Sequence, residues 1–274
     1  MSDQILIIKP GRGWGGLNLG DIWRYRELLY FLTWRDIKVR YKQTTIGVGW
    51  AILQPLLTMV VFTVFFGKMA QIPSEGIPYP VFSYSGLLLW TYFSSSVSNS
   101  GNSLVNNTNL ITKVYFPRTV IPLSSSLTGI VDYVIAMSIL VVMMFLYGFF
   151  PKPRLLLLPL VFFLAFISAT GFGLWLSALN VKYRDVRYVI PFFIQLLLFA
   201  TPVIYPATIL PERSRWLLFL NPISGIIDAH RALTLGHRPI DWCALFVSST
   251  IGFLVFITGI FYFRRTERFF ADVI

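Results

Sequence analysis

Residues 119–149 read TVIPLSSSLTGIVDYVIAMSILVVMMFLYGF, and the one charged side chain in the stretch is Asp132. A helix that crosses roughly 30 Å of hydrocarbon needs about 20 apolar residues. Backbone amides in lipid must be paired within the segment, so a run of this length is read as a spanning helix. Working outward from it, apolar stretches at about 48–67, 79–101, 155–180, 188–204 and 242–263 bring the total to six, with no second charged side chain among them. The expected fold class is all-α integral membrane.

Composition agrees. Hydrophobic residues make up 55% of the 274 and the mean hydropathy is +0.68, above globular norms. The single cysteine, Cys243, excludes an intrachain disulfide and a cysteine metal cluster. The first 47 residues are polar and charged, without an apolar core near Met1, so no cleavable signal peptide is expected. If the N-terminus is cytoplasmic, the segments 1–47, 102–118, 181–187 and 264–274 lie inside and hold 16 of the 23 lysines and arginines. That bias predicts cytoplasmic N- and C-termini. The net charge of +11 then reflects topology, and no nucleic-acid partner is expected.

Residues 1–20 read as a cytoplasmic tail and 21–46 as an interfacial amphipathic helix, with 47–274 forming the six-span domain. In the interfacial segment, IWRYRELLYFLTWRDIKVRYK at 22–42 mixes cations with aromatics, as suits a helix at the headgroup level. Asp21 is its expected N-cap. Gln54–Pro55 predicts a kink in the first span. Residues 102–118 read as a short cytoplasmic helix capped by Ser103 and ended by Pro117, with Leu104, Thr108, Ile111 and Tyr115 on one face. Between spans five and six, the uncharged run Trp216–Ile227 is broken by Asn221–Pro222 and is too short to cross. Two re-entrant outer helices before the last span are the expected arrangement.

The string RDIKVRYKQT at 35–44, followed by Gly47, Gly49-Trp50-Ala51 and Pro55, resembles the permease subunit of the ABC-2 type exporters of bacterial surface polysaccharides (O-antigen, capsule, teichoic acid). GLLLW at 86–90, KVYFPR at 113–118, Asn180 with Tyr183-Arg184-Asp185, Thr201-Pro202 with Tyr205, and Asn221-Pro222 extend the resemblance over about residues 20–268. The O-antigen branch is the most similar. The resemblance implies a homodimer working with two copies of a separate ATPase subunit, and it places the chain in the bacterial inner membrane. The cargo it implies is a lipid-linked (undecaprenyl-diphosphate) glycan.

The candidate residues follow from chemistry and resemblance together. A nucleotide-binding loop ends in Gly-Lys-Ser/Thr; here Gly67–Lys68 is followed by Met69. No cofactor is therefore expected on this chain, and ATP-Mg would sit on the partner ATPase. Arg35, Lys38, Arg40 and Lys42 are candidates to attract a lipid pyrophosphate, arginine offering a two-pronged fork; membrane anchoring is the plainer role for any one of them. Asp132, costly at membrane depth, should face a partner, the bundle interior or a water-filled space, and no cation inside the spans can pair with it. Tyr188, Phe192 and Phe199 share a face of span five and are candidate channel-lining rings, against which a sugar polymer could slide. Asn106, Asn109, Lys113, Arg184 and Asp185 are candidates for coupling to the ATPase. A drug exporter of the same architecture and a membrane glycan-modifying enzyme are the competing readings. The enzyme is disfavoured because His230 and Asp228 sit two apart on an expected helix and face apart.

Overall fold

The computed structural model describes residues 19–42, 47–183, 185–267 and 270. All regular structure among them is helical. A short α1 (Leu19–Arg24) and α2 (Arg26–Lys42) come first, separated at Tyr25. Because α1 already begins at Leu19, Asp21 lies inside a helix rather than capping one. Next come α3 (Gly49–Phe62), which loosens into a π-helical stretch at Thr63–Met69, and α4 (Tyr79–Asn106). A six-residue α5 (Thr108–Lys113) leads to α6 (Val120–Leu146). A 3-10 turn at Pro153–Leu157 opens α7 (Leu158–Lys182), followed by α8 (Val186–Phe199). At the far end, α9 (Glu212–Phe219) and α10 (Ser224–Leu235) precede α11 (Trp242–Glu267).

Among the described residues, four helices are long and apolar enough to cross a membrane: Gly49–Met69, Val120–Leu146, Pro153–Lys182 and Trp242–Glu267. The other two expected spans depart from that standard for different reasons. Helix α8 is apolar, but its 14 residues rise only about 21 Å. Helix α4 is long enough at 28 residues but too rich in serine.

That serine-rich helix is nevertheless the centre of the bundle. It packs on α3, α6, α7, α8 and α10, and most of its side chains from Tyr79 to Leu104 are buried. Polarity is tolerated there because most of its serine hydroxyls reach a carbonyl. Ser85 Oγ donates to the Phe82 carbonyl at 2.8 Å and Ser103 Oγ to that of Ser100 at 2.7 Å. Ser100 Oγ instead crosses to the Pro122 carbonyl of α6 at 2.6 Å and lies 2.8 Å from Ser126 Oγ. On the other flank, a Cβ built on Gly173 of α7 would fall 2.4 Å from Ser100 Cβ, so the α4 and α7 backbones meet closer than a methyl group permits. Small residues at the contact let dispersion and hydrogen bonds act where lipid offers no hydrophobic drive.

The connector at 102–118 differs from expectation. Helix α4 runs through Ser103 to Asn106, so Ser103 is interior and caps nothing. The chain then turns at Asn107, forms α5 and becomes extended at Val114. Leu104 and Ile111 are buried together with Phe116 and Val120, but Tyr115 is 75% exposed, because the interruption at Asn107 breaks the helical register.

Before the last helix, the run Trp216–Ile227 divides at Asn221–Pro222 into the ends of α9 and α10, as its sequence suggests. Asn221 Nδ2 donates to Thr201 Oγ1 at 2.8 Å, which brings the Thr-Pro and Asn-Pro motifs into contact. All twelve residues of α10 are buried.

Candidate functional site

A cavity of about 560 Å³ opens among α2, α3, α4, α6 and α8. Its walls are mostly apolar (among them Trp50, Pro55, Tyr92, Tyr133, Pro191 and Ile194). The polar part consists of Gln54 from α3, Thr91, Ser94, Ser95 and Ser98 from α4, and a group formed by Arg40, Tyr41 and Asp132. The hydroxyl protons of Ser94 and Ser95 go to the Thr91 and Tyr92 carbonyls at 3.2 and 3.1 Å. Their oxygen lone pairs stay available to a donor such as a sugar hydroxyl.

Helix α2 delivers the cation. It packs chiefly against α6, with Leu32 buried in the same cluster as Val120 and Ile121. Further along, Arg40 forms an ion pair with one oxygen of Asp132, and the Tyr41 hydroxyl donates to the other. The two helices therefore run side by side in the same direction. Burial, reinforced by the bond to Asp132, holds the Tyr41 phenol well above its ordinary pKa, so it remains a donor. Of the settings expected for Asp132, it has both a partner and a cavity, and the partner comes from the segment before the spans.

The remaining sequence candidates do not converge on this cavity. Arg35 bonds Asp36 and reaches Asn107 Oδ1 at 2.9 Å. Lys38 is exposed, its ammonium 5.3 Å from the centre of the Trp34 ring, and Lys42 is exposed. Of the four cations, Arg40 alone lines the cavity. Tyr188, Phe192 and Phe199 are 76%, 61% and 55% exposed on the outer face of α8, whereas the cavity takes Pro191 and Ile194 from that helix. Asn106, Asn109, Lys113 and Asp185 are all exposed; Arg184 lies outside the described residues. The elbow that carries the asparagines is tied down on two sides, by Arg35 to Asn107 and by Asn180 Nδ2 to the Gly101 carbonyl at 3.0 Å and Asn102 Oδ1 at 3.1 Å.

At the opposite end, a charged cluster closes the bundle. Glu75 receives His237 at 2.8 Å and Arg238 at 3.1 Å, together with the Thr208 hydroxyl at 2.9 Å. Arg238 also pairs with Asp228 of α10. One turn away, the buried Arg231 guanidinium lies 3.8 Å from the centre of the Phe82 ring and donates to the Val203 carbonyl at 3.1 Å. His230 Nε2 and the Tyr133 hydroxyl are 3.0 Å apart, so α10 touches the wall of the cavity. His230 and Asp228 hold different partners, as the i, i+2 spacing requires.

The comparisons with known proteins decide the family. The ABC-2 type transporter family matches residues 27–235. This chain belongs to that family. It is 32% identical over 259 residues to the O-antigen export system permease protein RfbA of Myxococcus xanthus, covering 93% of this chain and 98% of that one. It is 30% identical to the RfbA protein of Klebsiella pneumoniae, covering 94% and 97%. To the polysialic acid transport protein KpsM of Escherichia coli it is 23% identical, covering 85% and 91%. Together with its apolar helices, these relationships make it a multi-pass membrane permease. In this ABC-2 chain, sequence reading missed the hydroxyl wall and the charged cluster. The wall was signalled by SSSVSNS at 94–100, polar residues too dense for a lipid-facing helix. The cluster had no local signal, because Glu75 lies more than 150 residues from its partners His237 and Arg238.

Burial alone would raise the Glu75 carboxyl, but the His237 bond, the Arg238 charge and the Thr208 hydroxyl outweigh it and draw its pKa down to about 2 from 4.5. A depressed carboxylate adds stability above its unfolded pKa and loses it as pH falls through the folded value. The Glu75 contacts should therefore keep the α10 end closed down to about pH 4.5 and loosen between there and about pH 2. Hydrogen exchange over residues 205–241 measures this, and Glu75→Gln should exchange faster at neutral pH with a flattened response to acid.

Proposed function

We propose that this chain is the membrane-spanning subunit of an ATP-driven exporter that carries a lipid-linked polysaccharide of the O-antigen kind outward across the bacterial inner membrane. The supporting observation is the near full-length similarity to two O-antigen export permeases, coupled with a cavity whose polar side carries the hydroxyls of Thr91, Ser94, Ser95 and Ser98. All six helices α3, α4, α6, α7, α8 and α11 cross in this reading, α4 shielded by its neighbours and α8 completed by the buried segment Thr201–Ile204. Helices α9 and α10 dip into the outer leaflet and return.

A cavity of about 560 Å³ is the size of a small-ligand pocket. It suits the head of a lipid carrier with its first sugar, while the polymer moves through a passage completed by a second copy. Helix α3 with its π-helical extension and the outer face of α8, where Leu57, Val60, Phe65, Phe192 and Phe199 are exposed, lie on the side that a second copy covers. Tyr188, Phe192 and Phe199 then face the passage. Two separate ATPase subunits bind ATP-Mg and press on the exposed elbow at Asn106, Asn109 and Lys113 and on the turn at Asp185. Arg35, Lys38 and Lys42 draw the anionic headgroup toward Arg40 along the inner surface. The reading is tested in a strain lacking the protein: glycan should accumulate on its polyprenyl diphosphate carrier at the inner face, and normal surface glycan would overturn it.

A further inference from the structure

The carboxylate on α6 is in an unusual position for a residue with a merely structural role. Asp132 lies twelve residues into α6, about 18 Å along its axis from Val120. A charge at that depth is costly and is retained where it serves a pathway or a partner. The expected economical arrangement is an ion pair sealed between helices. Here the pair stays open: the Arg40 and Asp132 side chains keep 33% and 22% of their surface accessible, and both line the cavity. Both Asp132 oxygens are engaged from α2, one by Arg40 and one by Tyr41. The neighbouring wall offers neutral hydroxyls at Thr91, Ser94 and Ser95.

Arginine carries five N–H donors in a planar fork, and a diphosphate offers it more charge and more acceptor oxygens than one carboxylate. We propose that Asp132 is an internal stand-in for the diphosphate of the cargo: it holds Arg40 in the cavity wall when the cavity is empty and gives Arg40 up when a diphosphate enters. The exchange trades one anion for another at the same guanidinium, while Asp132 keeps the Tyr41 hydroxyl and its 22% accessible surface. Because Arg40 and Tyr41 close the C-terminal half of α2 against α6, the same exchange loosens α2. Arrival of cargo is thereby converted into release of the helix that covers the cavity. The inference rests on the proposed diphosphate-linked cargo and adds how that cargo is sensed.

The test uses the full-length protein in nanodiscs, with farnesyl diphosphate, inorganic pyrophosphate and farnesol as probes. Farnesyl diphosphate should bind the wild type and farnesol should not. Arg40→Gln should weaken binding about tenfold or more, the loss expected of one charge-assisted contact. Asp132→Asn, which keeps the shape and removes the competing charge, should tighten it by about the same factor. Opposite signs at two residues of one ion pair are not produced by a structural tether, whose loss would weaken binding from either side. In the wild type, hydrogen exchange over Tyr25–Lys42 should rise when farnesyl diphosphate is bound, a reading that needs no variant to fold. Unchanged or weaker binding by Asp132→Asn, or unchanged exchange in the wild type, overturns the internal stand-in alone. Failure of the wild type to bind either diphosphate overturns the stand-in together with the diphosphate cargo. Pyrophosphate binding as tight as farnesyl diphosphate supports the exchange but rejects a lipid source for the anion.

Discussion

Gly225→Ala is expected to cost about 3 kcal/mol or more, at the upper end of what overpacking does in a filled core. The added Cβ would fall 2.2 Å from the Ala244 carbonyl oxygen and 2.7 Å from its carbon. Those are backbone atoms of α11 and cannot rotate away. The same contact positions Ser248, whose Oγ receives the Gly225 amide at 3.0 Å and lies within bonding reach of the Phe219 and Asn221 carbonyls at 2.9 and 3.1 Å. Pushing α10 off α11 therefore strains three loop and helix ends held by one hydroxyl. Thermal unfolding of the purified protein should show a clear drop in Tm, and Gly225→Val should yield little folded protein. Wild-type stability in Gly225→Ala would mean that α10 is not seated as described.

Arg238→Ala should be comparably severe, because this arginine bridges two carboxylates at once. The Asp228 and Glu75 side chains are 3% and 13% exposed, and removing one partner of a buried pair typically costs about 3–5 kcal/mol through the uncompensated charge left behind. Glu75 keeps His237 and Thr208, so Asp228 bears most of the loss. Arg238→Gln combined with Asp228→Asn should then recover much of the stability lost in Arg238→Ala. A double-mutant cycle on unfolding free energies reads the coupling, and strictly additive losses would show that the two side chains do not act as a pair.

The fold was legible wherever length and polarity speak together. The long apolar runs around α6, α7 and α11 are unmistakable, and Asn221–Pro222 divides α9 from α10 as written. The connector after α4 was misread because Ser103 is a good cap in isolation. In the bundle its hydroxyl is instead engaged by the turn behind it, and the helix continues. The site was only partly legible. That Asp132 should face a partner, the bundle interior or a water-filled space followed from its cost in lipid, but its pairing with Arg40 depended on how α2 lies along α6. The four cations of α2 look alike in sequence. Arg35 and Arg40, five residues apart, emerge about 140° apart on a helix, and so one serves the elbow and the other the cavity.

Helix α4 carries one further consequence, which concerns how the protein is made. A hydroxyl-studded segment has little tendency to leave the insertion machinery for lipid on its own. Its polar groups Ser100 and Ser96 find partners on α6, which emerges from the ribosome only later. The most central helix of the finished molecule should therefore be the last to commit to the bilayer, waiting in the translocon until α6 and α7 arrive to enclose it. A nascent chain carrying α3 and α4 alone should accordingly keep α4 within crosslinking reach of the translocon, whereas one extended past Lys182 should not.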